Sequence, residues 1–98
     1  MNYSSGPQFD VPSELPENIR AILETARDIG LTIKPTFFEG VRHQGWTIYR
    51  RPAEDYLTVR IAPTPLRYAV TCHLYPNGSD KDAHVIPTRD AISALMDF

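Results

Sequence analysis

Seven side chains in the middle of this sequence have the types and spacing to make a binding surface: Tyr49, Arg51, Tyr56, Arg60, Arg67, His73 and Tyr75. They fall in runs where apolar and polar residues alternate, so a two-residue period puts them on one side of a sheet, opposite an apolar side. Tyrosines beside arginines can anchor a protein partner, because both are enriched in binding hot spots. The same residues can stack on and neutralise a single strand of nucleic acid. They also suit an ordinary solvent face, where cross-strand Tyr–Arg pairs stabilise the sheet by themselves.

Charge weighs between these readings. The 98 residues carry a net −2, unevenly spread. Residues 31–75 hold six basic residues against three acids, a net +3, whereas residues 1–30 and 76–98 together hold a net −5. Two surfaces of opposite sign are expected. Overall acidity counts against nucleic acid, whose nonspecific binding rests on phosphate neutralisation. A protein partner is therefore the expected one, with the protein an adaptor, inhibitor or self-associating module, and single-stranded nucleic acid is the alternative. The acidic remainder, including Glu14, Glu17, Glu24, Asp28, Asp80, Asp82, Asp90 and Asp97, reads as solvated helix and loop faces or as a competitor for a basic partner.

Catalytic signatures are missing. Cys72 and His73 are adjacent, but neighbours on a strand point to opposite faces, so they cannot form a Cys–His dyad. Cys72 falls on the apolar side of its run and reads as an inert core thiol. His43, His73 and His84 lack metal-ligand spacing. Asp80-Lys81-Asp82 follows Asn77-Gly78 but fails the order of a calcium loop. Glu54-Asp55 reads as a solvated turn. Phosphate-binding glycine loops and nucleophile elbows do not occur. The expectation is a non-enzymatic protein with no cofactor and no metal. An enzyme whose site lies between subunits, around His43 or His84, is the third class considered.

These residues are positioned by a simple order of elements. Residues 1–12, with Gly6, Pro7 and Pro12, read as a flexible N-terminal arm, whose Phe9 and Val11 can dock on the domain or on a partner. Residues 13–98 read as a single domain. Ser13 is placed as a helix N-cap, and Leu15, Ile19, Ile22, Leu23, Ala26 and Ile29 form one apolar stripe closed by Gly30. Strand-like runs follow at Leu31–Phe38, Trp46–Arg51, Tyr56–Ala62 and Leu66–Tyr75. Pro35 sends the first to a sheet edge or bulge. Gly40 and Gly45 are read as bracketing a loop. In the second run, Trp46 and Ile48 compete with Tyr49 for the buried side.

Pro76-Asn77-Gly78-Ser79 is a turn that folds a short strand, around Ala83–Ile86, back on the fourth. Thr88 then caps a last helix with Ile92, Leu95 and Met96 on one face, and Phe98 beneath it. Short connections require antiparallel pairing. The fold class is thus α+β: an antiparallel meander of four or five strands with an N-terminal and a C-terminal helix on one face. One cysteine excludes an internal disulfide, and no secretory signal or run of about 18 apolar residues occurs, so a cytoplasmic protein with no membrane span is expected. The Pro35 edge is a route to a homo-oligomer.

Overall fold

The structure is a computed structural model that describes Val11 and residues 14–40, 43–51, 54–63 and 68–98. Ser13, Phe9, Leu66 and Arg67 lie outside the described residues, as does most of the arm placed over residues 1–12. Val11, at the end of that arm, packs against the core.

Helix α1 runs Glu17–Asp28 and is followed by five strands: β1 Thr32–Phe38, β2 His43–Tyr49, β3 Tyr56–Pro63, β4 Tyr68–Tyr75 and β5 His84–Ile86. A 3-10 turn, Pro76–Gly78, joins β4 to β5, and helix α2, Thr88–Met96, ends the chain. The strands lie in sequence order, β1-β2-β3-β4-β5, each antiparallel to the next. This is the α+β meander that the spacing predicts, with five strands. Both helices lie on one face of it, in contact with each other.

Helix α1 starts at Pro16, which stands at the N-cap position with no side-chain cap, and its carbonyl accepts the Arg20 amide. Its end follows from Gly30. At φ +85° this residue occupies a left-handed conformation that a side chain resists, and the turn is closed by bonds from Gly30 N to Arg27 O and from Leu31 N to Ala26 O. That pair of bonds is a Schellman motif, and the buried Leu31 and Ala26 supply its apolar contact.

The core is the layer between helices and sheet. Ile19, Ile22, Leu23 and Ala26 of α1 and Ala91 and Leu95 of α2 meet Ile48, Leu57, Val59 and Cys72 of the sheet, all at 0–1% exposure. Trp46 and Ile61 flank them, partly buried. Ile48 inward and Tyr49 outward therefore settle the competition within the second strand.

Three local expectations are corrected. Strand β2 starts at His43 and ends at Tyr49, so Gly45 is inside the ladder and not at a loop, and Arg51 is beyond the strand. Thr88 does not cap α2. Pro87 holds the N-cap position, and no side chain caps the helix. Met96 is 62% exposed, and Ala91 takes the core place given to it. The stripe of a nine-residue helix is too short to decide its own phase, and docking against β4 and α1 decides it.

Candidate binding face of the sheet

The helices cover one side of the sheet, and among the described residues no element covers the other. Alternation fixes what that second side presents. Register pairs Tyr49 with Tyr56 and Tyr56 with Tyr75, so three tyrosines form a row across β2, β3 and β4. A parallel row joins Lys34, Thr47, Thr58, His73 and Val85. The next contains Thr36, Gly45, Arg60 and Thr71.

Arg60 organises the centre. Its Nη2 donates to the Tyr75 hydroxyl at 2.6 Å, its Nε points at Thr58 Oγ1 at 3.4 Å, and its Cζ lies 4.4 Å from the centroid of the Phe38 ring. Such a cation over a ring is attracted by the ring's quadrupole. Tyr75 in turn stacks on Tyr56, with centroids 4.3 Å apart and planes 12° from parallel. The rings stand against each other, so one face of each is already occupied.

Two backbone features hold this arrangement. Asp55, in the β2–β3 connection, accepts the amide of Asn77 at 2.7 Å, and Asn77 itself has a left-handed φ of 55°. That bond ties the two turns flanking the Tyr56–Tyr75 pair. At the other end, a Cβ on Gly45 would overlap the Val59 carbonyl oxygen and lie 2.9 Å from its carbon and 3.1 Å from Arg60 Cα. Only glycine lets β2 approach β3 this closely beneath Arg60.

Electrostatics sharpen the picture. Every described partner of the Arg60 guanidinium is neutral: a phenol, a threonine hydroxyl and a phenyl ring. None of the described strand residues pointing to this side is an acid. Burial lowers the His73 pKa, and the charges of Arg60 and His43 lower it further. The Nδ1 atoms of His43 and His73 are both buried without a hydrogen-bond partner among the described residues. Burial raises the Tyr56 pKa, helped by Tyr75 and Asp80 and opposed by Arg60.

Beside this cluster an open groove of about 540 Å³ runs over β1 and β2, with Lys34, Thr47, Tyr49, Arg51 and Tyr56 among its lining. The Thr36 and Thr47 hydroxyls bond each other at 2.8 Å across it. Arg51 reaches this groove from the loop, where it makes a solvent-exposed pair with Glu54 at 3.4 Å.

Of the seven expected residues, Tyr49, Tyr56, Arg60, His73 and Tyr75 therefore share the face. Arg51 borders it from outside the strand, and Arg67 lies outside the described residues. Sequence reasoning missed Phe38 and His43 as parts of the same cluster. Thr58 stands on this face as its alternation with Tyr56 and Arg60 predicts. Phe38 and His43 required the β1–β2 register, which the assignment of Gly45 to a loop concealed.

Among the described residues no group of three or more His, Cys, Asp or Glu could hold a metal ion, and no helix is long and apolar enough to cross a membrane. Cys72 is fully buried, and burial raises its pKa against a smaller lowering influence of Thr88. Comparison with protein-family models, with curated proteins and with solved structures finds no match.

Proposed function

We propose that this chain is a small non-enzymatic binding protein, an adaptor, inhibitor or self-associating module that contacts another protein through the uncovered face of its sheet. The observation that carries this reading is the Tyr56–Tyr75 stack fastened to Arg60 on a face that no described helix covers. Rigid, preorganised tyrosines and an arginine lose little side-chain freedom when a partner docks, which is what makes them hot-spot residues. A cytoplasmic setting suits a buried free thiol.

Single-stranded nucleic acid is the second reading, favoured by the aromatic and cationic character of the face. Against it stand the net charge of −2 and the mutual stacking of Tyr56 and Tyr75, which uses ring surface that bases would need. Affinity purification with the wild-type chain and with Tyr56→Ala and Tyr75→Ala variants, each checked for folding by circular dichroism, tests the first reading. The expected result is a reproducible partner held by the wild type and lost from both variants. An unchanged set of bound proteins removes the face from consideration. A mixed-sequence oligonucleotide that binds at about 50 mM salt, and far less at about 200 mM, supports the second reading instead.

A further inference from the structure

Among the described residues Arg60 and Lys34 have no carboxylate partner, and that absence of compensation points to what the face takes. Arg60 is half-buried, bonded to neutral hydroxyls and flanked by two histidines. A carboxylate can accept two parallel bonds from a guanidinium and brings the opposite charge, neither of which a hydroxyl offers, so a carboxylate displacing a hydroxyl from Arg60 gains on the exchange. Lys34 continues the same sign along the groove, at whose loop end Arg51 is already paired with Glu54. We propose that the partner's docking element is an acidic protein segment, with one carboxylate seated on Arg60 between His43 and His73 and its chain lying in the groove toward Lys34. This deepens the protein-binding reading and rests on it.

A protein segment fits better than a polynucleotide. The cations are few and clustered at one point, which suits one or two carboxylates and not a regular row of phosphates. Acids approach the tyrosine end of the face, where Asp80 acts on Tyr56 and Glu54 pairs with Arg51. They would repel a continuous anionic backbone and leave room only for a local charge.

The histidines give the site a signature. In the unbound protein, the groups facing His73 are Arg60 and Tyr56 from β3, His43 from β2 and the uncharged Val85 from β5, so a proton on His73 is opposed. A bound carboxylate reverses that field. Protons are then taken up on binding, and affinity rises as the pH falls.

The test is a two-dimensional ¹H–¹⁵N NMR titration of the full chain with a capped octapeptide that carries two adjacent glutamates among serines and glycines. Side-chain signals of Arg60, His43 and His73 and the amides of the tyrosine row are followed. Saturable shifts confined to this face are expected, together with affinity that rises roughly tenfold from about pH 8 to about pH 6 and falls roughly tenfold in Arg60→Gln. The pH dependence is read on the wild type, so a destabilised variant does not leave the matter open.

Shifts that do not saturate, or that spread over the helices, overturn the proposal. So does tighter binding of an eight-residue oligothymidylate, which indicates nucleic acid, or equal binding of inorganic phosphate, which indicates a small-anion site. Dilution-dependent shifts of the same residues without peptide, abolished by Arg60→Gln, assign the face to a second copy and also overturn it. If partner capture depends on Tyr56 and Tyr75 but is indifferent to pH and to Arg60→Gln, the acidic segment is wrong while the protein-binding reading stands.

Discussion

Replacing Gly45 by alanine probes the packing that seats Arg60. The new methyl would overlap the Val59 carbonyl oxygen and press on Val59 C and Arg60 Cα at 2.9 and 3.1 Å, all backbone atoms that cannot rotate away. Strand β2 must therefore shift off β3 between Gly45 and Arg60. Overpacking of this kind costs about 1–3 kcal/mol, and one or two weakened ladder bonds add about 1 kcal/mol each. A loss of about 3 kcal/mol is the central expectation, which for a domain of this size lowers Tm by roughly 12–24 °C.

Two other glycines calibrate the measurement. Gly30 has open space around its missing Cβ but a φ of +85°, so Gly30→Ala should cost only the left-handed penalty of about 1–2 kcal/mol. Gly40 meets nothing within 4 Å and carries no positive φ, so Gly40→Ala should be close to neutral. Thermal and urea unfolding of the three variants, followed by circular dichroism, ranks them. If Gly45→Ala unfolds within a few degrees of the wild type, the close approach of β2 to β3 is not as described, and the seat of Arg60 must be redrawn.

The histidine and the thiol give two further expectations. His73 has its pKa lowered by burial and by Arg60 and His43, so the unfolded chain binds its proton more readily than the native one. Its contribution to stability is complete above about pH 6.5 and is lost as the pH falls from there through the lowered native value; urea unfolding across this window should show a decline that His73→Gln flattens. Cys72 is fully buried with a raised pKa, so a thiol reagent at about pH 8 should label it only on unfolding. Labelling of the native chain at the rate of a free thiol would place Cys72 at the surface.

Much of the fold was legible because local rules suffice for it. Alternation of Leu57, Val59 and Ile61 with Tyr56, Thr58 and Arg60 assigns both faces of β3, and the residue type at Gly30 or Asn77-Gly78 meets a positive φ that the backbone requires there. Connections too short for crossovers leave antiparallel pairing as the economical solution. Where local rules conflict, reading failed. A glycine in a strand looks like a loop, and only the approach of Val59 and Arg60 from a neighbouring strand explains why Gly45 belongs in the ladder. The phase of α2, with Ala91 inward and Met96 outward, depends on what it docks against.

The same division applies to the candidate site. By itself the sequence determined that tyrosines, an arginine and a histidine would share one side of a sheet, because side-chain direction along a strand is set by a period of two. Tertiary structure alone decided which of them touch. Arg60 meets Tyr75 across 15 residues of chain and Phe38 across a further strand, contacts created by register and by lean of the side chains over the sheet, and the charges of Arg60 and His43 both act on His73. The chain's pattern specifies the side on which a group stands. Its neighbours, and with them the lack of a carboxylate for Arg60 among the described residues, exist only once the strands are paired.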